Sequence, residues 1–294
     1  MNFQEFKKKF PSKQKIINHF IDIRYKDGLV CNHCGVKENV YAMKDTPKKF
    51  ICHACNNTFS VFKDTIFEHS STDLKKWFYA IHLFLNGKKG ISALQLQREI
   101  EVTYKTAWRM LRQIRIAMGN KKKDDDDDDF MGTVIEMDEA YFGGKAENKH
   151  MSERVAAKGI FQKIAVLGML ERNKEVRGFV LPNGAKRNDI FEKVLENIKD
   201  GSQIMTDEHK AYYYLYTRYK HSVVNHSKGE YKKGDNIHTN SIEGFWSTLK
   251  RGVYGIYHHV SRKHMQHYVN EFAFRYNNRG NKGMFDLVLR QAIL

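Results

Sequence analysis

Four cysteines fall in two pairs, Cys31 and Cys34 in CNHC and Cys52 and Cys55 in CHAC, with seventeen residues between the pairs. Each C-x2-C turn presents two thiolates on one side of a knuckle, and two facing knuckles complete a tetrahedron, the arrangement of a four-cysteine zinc ribbon. Four thiolates leave a Zn2+ no open position, so the ion is expected to be structural. It would staple residues 28–63, a stretch rich in Cys, Asn and Lys that cannot fold on a core of its own. His33 and His53 sit inside the knuckles and are expected to face solvent. Lys37, Lys44, Lys48 and Lys49 crowd the middle loop, a composition suited to phosphate contact.

The alternative, disulfide bonding, requires an oxidising compartment. The opening MNFQEFKKKF lacks the apolar stretch of a signal peptide, and the longest apolar run, IAVLGML at 164–170, is far too short to span a bilayer. A cytoplasmic location with no membrane partner is therefore expected, which favours metal over disulfide. The formal charge of +16 points to a polyanionic partner. The surplus is larger still outside the run Asp124 to Asp129, which lies in GNKKKDDDDDDF at 119–130. That run has no apolar periodicity and reads as a charged, solvated linker; an acidic tether competing with nucleic acid for basic surface is the other reading.

An N-terminal helical segment is expected over 1–27. Between ribbon and linker, residues 72–118 show helical apolar spacing, first at Leu74, Trp77, Phe78, Ile81, His82 and Leu85. Within 90–118, Ser92 suits an N-cap, with Leu94, Leu96 and Ile100 as apolar positions. A break at 101–103 precedes a second helix with Trp108, Leu111 and Ile114 inward and Lys105, Arg109, Arg112 and Arg115 on its polar face. A basic second helix after a tight turn is how a helix-turn-helix enters the major groove, although a plain packing hairpin gives the same pattern.

Beyond the linker, GTVIEMDEAYFGG, KIAVLGML and VRGFVLP read as strands, NDIFEKVLENIKDG as an amphipathic helix, SQIMTDEHKAYYYLY as a strand running into a helix, HSVVNHS as a short strand, and the rest as helices. That order implies an α/β domain with one mixed sheet over 131–294. Three carboxylates stand on separate elements: Asp138 on the first strand, Asp207 where a strand gives way to a helix, and Glu243 near the start of the helix that opens with Asn240 and Ser241. Separate elements that deliver oxygen ligands to one place are what phosphoryl transfer by two divalent ions requires. Each carboxylate also has a structural reading: Asp207 as an N-cap, Glu243 as the N3 member of a capping box led by Asn240, and Asp138 as one surface acid among Glu136 and Glu139.

The stretches MDEAYFGGK (137–145), MTDEHKAY (205–212), HTNSIEGFWSTLKRGVYGIYHHVSRKH (238–264) and EFAFRYNNR (271–279) resemble bacterial insertion-sequence transposases of the ISXO-like group, and the resemblance runs from CNHC almost to the C-terminus. It implies a ribonuclease-H-like DDE core preceded by a zinc ribbon and a helix-turn-helix, Asp138 and Asp207 in the two aspartate roles, and Mg2+ or Mn2+ as two catalytic ions. Relatives of this kind can carry asparagine at the third position, so Asn240 and Glu243 both qualify. Glu243 is preferred because a carboxylate holds a divalent cation better than an amide and because Lys250 follows it by seven residues, two turns on one face. Lys145, Lys250 and Arg251 would hold phosphates, with Lys105, Arg109 and Arg112 contributed by the helix-turn-helix, while Trp246 would pack.

The implied activity is cleavage at transposon ends and transfer of the 3′-hydroxyl into target DNA. The implied partners are double-stranded DNA and at least a second copy of the chain, in a nucleoid-associated setting. The rival readings are a zinc-ribbon DNA-binding regulator with an inert core and a nuclease of the same fold.

Overall fold

The computed structural model describes residues 1–120, 130–143, 163–225 and 236–293. Most of the charged linker (121–129) and Lys145 lie outside the described residues. The chain divides into two compact units, Met1–Lys122 with Gly280–Leu294, and Lys123–Arg279.

The first unit opens with helices α1 (Phe3–Lys9) and α2 (Lys13–Arg24). Helix α1 begins with a reciprocal capping box in which the Glu5 amide donates to Asn2 Oδ1 at 2.9 Å and the Asn2 amide donates to Glu5 Oε2 at 2.8 Å. Strands β1 (Val40–Ala42), β2 (Lys49–Cys52) and β3 (Thr58–Ser60) form an antiparallel three-stranded ribbon. Arg24 ties α2 to the ribbon's exit by donating to the carbonyls of Val61 and Lys63.

Helix α3 (Leu74–Asn86) precedes a hairpin of α4 (Ala93–Ile100) and α5 (Tyr104–Gly119). Ser92 caps α4 as expected, accepting from the Gln95 amide at 3.1 Å, and Thr103 caps α5. Glu101 takes a left-handed conformation (φ 51°) that ends α4 and allows the three-residue break.

The inward face of the hairpin differs in part from the sequence expectation. Leu96 and Ile100 of α4 and Leu111 and Ile114 of α5 are buried as expected, joined by Ala107, Met110, Ala117 and Met118; Trp108 is only half-buried and Leu94 is exposed. Arg115 is not on the polar face at all. It is 3% exposed, with its guanidinium 5.2 Å from the Phe84 ring centroid, a cation–π seat that helical spacing alone does not reveal. Phe84, not Leu85, is the buried residue at the end of α3.

The C-terminal helix α9 (Met284–Gln291) belongs to this first unit and not with 131–279, where the sequence pattern puts it. It packs against α2, α3 and α5. Phe285 sets its ring 5.5 Å from Phe10 and 5.7 Å from Phe78, within a buried aromatic core that also holds Phe6 and Phe20.

The second unit is a mixed α/β fold around a five-stranded sheet in the order β6-β5-β4-β7-β8. Strands β4 (Val134–Phe142), β5 (Ile164–Glu171) and β6 (Val176–Leu181) run antiparallel as a meander, whereas β7 (Gln203–Thr206) and β8 (Lys220–Val223) run parallel to β4. Helix α6 (Arg187–Asn197) makes the crossover to β7, and the expected helix after β7, a 3-10 helix at Lys210–Thr217, makes the one to β8. Helices α7 (Asn240–Gly252) and α8 (Arg262–Asn277) follow.

Both faces of the sheet are covered, so every residue of β5 is buried. Ile135, Met137, Leu167 and Met169 pack toward Ile190, Val194, Tyr212 and Leu215. On the opposite face Ala140, Phe142, Val166 and Leu170 pack with Ile242, Phe245, Trp246, Leu249, Val269 and Phe272 of α7 and α8. Gly168, paired with Asp138 across the ladder, permits the close seat of α7: a Cβ there would lie 2.5 Å from Trp246 Cζ2 and 2.8 Å from Ile242 Cδ1. No helix among the described residues is long and apolar enough to cross a membrane.

Candidate active site and metal centre

The four cysteines converge. All four Sγ atoms lie within 4.8 Å of one another, with Cys31–Cys55 and Cys34–Cys52 each at 3.7 Å. A tetrahedron of sulfurs about 2.3 Å from a central Zn2+ has edges of about 3.8 Å, so the spacing matches a four-thiolate ion, while a disulfide would need about 2.05 Å. The sulfurs also accept hydrogen bonds, from the His33 amide onto Cys31 (3.4 Å) and from Asn57 Nδ2 onto Cys55 (3.6 Å). His33 and His53 are exposed and outside the ligand set, as expected. The site supports a structural Zn2+.

The second site is built at the carboxyl end of the parallel strands. The ladder between β4 and β7 is registered Glu136 to Met205, and continuing it two residues sets Asp138 beside Asp207, the residue that follows β7. Asp207 Oδ1 accepts the His209 amide at 3.0 Å, an Asx turn, and it does not cap the 3-10 helix. Glu243 is the fourth residue of α7, not the N3 member of a capping box. The N-cap is Thr239, whose hydroxyl donates to Glu243 Oε1 at 3.0 Å. Asn240 is the first residue of the helix, and both it and Glu243 are exposed.

Electrostatics tie these acids together. The Asp138 carboxyl is pushed up from its ordinary 3.8 to about 7, mainly by burial, then by the negative charges of Glu139, Asp207 and Glu243. Glu139 is likewise pushed up to about 7 by burial and by Asp207, against a hydrogen bond from the Tyr212 hydroxyl that favours its charged form. His209 Nδ1 lies 3.5 Å from Glu139 Oε1. Burial and the mutual repulsion of these carboxylates leave this end of the sheet short of positive charge. Their oxygens are nevertheless less tightly gathered than the thiolates: among the described residues, the cysteines alone form a group of three or more potential metal ligands within 4.8 Å.

The remaining expected residues are distributed as follows. Lys250 and Arg251 are exposed in the last turn of α7, and Trp246 is buried, packing as expected. In the first unit Lys105 is exposed, while Arg109 and Arg112 are half-buried.

Two acids in the site were not singled out by sequence reasoning: Glu139, and Glu136 on the same side of β4 as Asp138. Glu136 is fully buried and accepts from Arg172 Nε (2.7 Å), the Ser241 amide (2.8 Å), the Ser241 hydroxyl (3.0 Å) and the Ile242 amide (3.1 Å). The available signal was a second acid two residues before Asp138, on a strand face whose other positions, Val134, Ala140 and Phe142, are apolar, since a charge in such a position needs partners.

Comparison with known proteins agrees with this architecture. The transposase zinc-ribbon domain profile matches residues 11–58. A protein of Halobacterium salinarum, named as an uncharacterized protein in transposable element ISH50, is 25% identical over 283 residues, spanning 91% of this chain and 92% of its own. No solved structure matches. The profile of the ISXO2-like transposase domain matches residues 130–277, about half of the chain and the stretch that holds the acidic site, and the chain belongs to that transposase family.

Proposed function

We propose that this transposase is a two-metal-ion polynucleotidyl transferase that cuts at the ends of its element and joins the freed 3′-hydroxyl to target DNA. What supports the reading is that three neighbouring elements supply the acids, Asp138 from β4, Asp207 directly after the parallel strand β7 beside it, and Glu243 from the start of α7, and that burial and then the charges of Glu139, Asp207 and Glu243 raise the Asp138 carboxyl. The sheet order, with three antiparallel strands followed by two parallel ones, supports a ribonuclease-H-like core.

The donor set suits hard divalent cations, because it offers carboxylate oxygens only, and burial with mutual repulsion makes an added positive charge favourable. Mg2+ or Mn2+ bound there supplies Lewis acidity for activating water or a 3′-hydroxyl and neutralises phosphate charge. Asp138, Asp207 and Glu243 hold the ions, with Asn240 at the helix start as the alternative third position. Lys250 and Arg251 hold the phosphates flanking the reacting one. No covalent intermediate on the protein is required.

The hairpin of α4 and α5 supports a helix-turn-helix reading in which Lys105, Arg109 and Arg112 meet DNA, joined by the ribbon lysines at the terminal repeats. Lys145 is assigned to phosphate contact on the sequence resemblance alone. Two element ends brought together imply a dimer or larger assembly on DNA.

Incubation of protein, Mg2+, a labelled duplex bearing the element's terminus and a plasmid tests the reading. Joined product is expected from the wild type, while Asp138→Asn is expected to bind the terminus and yield none. Cleavage without joining would instead assign a nuclease, and an Asp138→Asn protein with unchanged activity would leave the core inert.

A further inference from the structure

We propose that Glu136 and Arg172 form a positioning clamp that sets the start of α7, and with it the third metal ligand, against the strand that carries Asp138. The inference rests on the reading in which α7 contributes that ligand. A helix start leaves its first amides without partners inside the helix, and a side chain at the N-cap ordinarily takes one of them. Here Thr239 makes no such bond and its hydroxyl is turned to Glu243. The Ser241 and Ile242 amides donate instead to Glu136 Oε2, at 2.8 and 3.1 Å, a carboxylate 105 residues earlier in the chain. The helix is capped from the sheet, two residues before Asp138.

Arg172, just after β5, completes the arrangement. Its Nε donates to Glu136 Oε1 at 2.7 Å, while Nη1 and Nη2 donate to the Asn236 carbonyl (2.6 Å) and the His238 carbonyl (2.9 Å) of the segment leading into α7. His238 Nδ1 lies 3.3 Å from Glu136 Oε1. One guanidinium and one carboxylate thus fix β4, the approach segment and the first turn of α7, the turn that carries Asn240 and is followed at once by Glu243. With its oxygens committed to the helix start and Arg172, Glu136 orients a ligand without being one. A carboxylate that orients a ligand is worth about 10–100-fold in metal affinity in other sites.

The test uses the full chain and Mn2+ alone as probe, with free Mn2+ counted by electron paramagnetic resonance. Glu136→Asp keeps the charge but withdraws it by one methylene, and Arg172→Lys keeps the charge but loses the fork. Each is expected to fold, to bind a terminus duplex within about twofold of wild type, and to bind Mn2+ at least about tenfold more weakly. Amide hydrogen exchange at Ser241 and Ile242 should be faster, and strand transfer at saturating DNA should fall and recover in part at high Mn2+. Wild-type Mn2+ affinity with faster exchange would mean that the pair secures the helix but not the site, and would overturn the proposal. So would failure of both variants to fold, which would make the pair a structural buried charge only. Asp138→Asn separates the two levels: if it too binds Mn2+ like wild type, the metal-ion reading falls and takes the clamp with it. If Asp138→Asn loses Mn2+ while both clamp variants retain it, the clamp alone is refuted.

Discussion

The protein gathers potential ligand side chains in two ways, four thiolates in the ribbon and a set of carboxylates in the sheet domain, and the two arrangements differ in closure and charge. In the ribbon, four sulfurs stand at the edge length of a closed tetrahedron. Nothing is left over for a substrate, and the surrounding strands are only three or four residues long. In the sheet domain, hard oxygen donors sit at the end of a fully packed sheet and are spaced more openly, with charges that repel one another. A closed soft site contributes to folding; an open acidic one costs folding energy and keeps room for phosphate and water.

The largest expected effect lies at the closed site. Cys52→Ser removes a ligand that is itself fully buried, and a structural zinc is worth about 10–16 kcal/mol in small modules. Zinc content should fall from one ion per chain toward zero, and limited proteolysis should cut within 28–63 while the sheet domain survives. A variant that kept its zinc and its resistance would show that the ribbon does not depend on the metal.

Asp138→Asn should behave in the opposite sense, which makes it the sharpest probe of the contrast. On the proposed two-metal reading strand transfer should fall at least about a thousandfold, since Asp138 would hold ions needed for both activation and charge neutralisation. Yet without added Mg2+ the protein should be more stable than wild type by about 1–2 kcal/mol, after allowing for solvent screening, because a buried like charge is gone. Denaturant unfolding of the sheet domain with and without Mg2+ measures both parts. An Asp138→Asn protein that is less stable than wild type in the absence of Mg2+ would contradict the picture of a strained acidic site.

The third position gives a smaller and more discriminating effect. Glu243→Gln should reduce strand transfer by about a hundredfold or more, whereas Asn240→Ala should cost about tenfold or less, because a carboxylate carries the charge that an amide lacks. The reverse order in the same joining assay would transfer the ligand role to Asn240.

How far these sites were legible in the sequence follows from the distance over which their parts communicate. The cysteine ligands are local, two pairs with fixed spacing, and their geometry came out as read. Asp138, Asp207 and Glu243 stand out in the sequence because they fall on a strand, at a strand end and near a helix start, each within a stretch resembling known transposases. That β5 is a strand was readable because it is a continuous apolar run, as strands covered on both faces are, whereas the order of strands within the sheet has no such local signal. Glu136 and Glu139 were passed over because their partners are remote: Ser241 lies 105 residues from Glu136, and Tyr212 lies 73 residues from Glu139. No local pattern announces such pairs. The same limit explains Arg115 and Phe285. A helical wheel puts Arg115 outward until Phe84 supplies a ring, and chain order puts Phe285 with the sheet domain until Phe10 and Phe78 supply a core.

The pH dependence of stability is the smallest effect and the finest test of the open site. Asp138 and Glu139 both titrate near 7 in the fold, against ordinary values of 3.8 and 4.5, so between those limits the native state holds protons that the unfolded chain has released. Stability contributed by this pair is therefore greatest at low pH and is lost as pH rises through about 7. His221 opposes them: its imidazole, buried against Thr206 Oγ1 at 2.8 Å, is pushed down to about 4 from an ordinary 6.5, so its contribution is lost as pH falls from about 6.5 to 4. Two acids outweigh one histidine. Without added Mg2+, stability of the sheet domain should decline by about 1–2 kcal/mol between pH 5 and 7.5. The slope should flatten in Asp138→Asn, which removes one of the two acids, and also with saturating Mg2+, which offsets the repulsion as the acids ionise. Stability that instead rises across this interval in the absence of Mg2+ would show that His221 dominates and that the four carboxylates do not share a field.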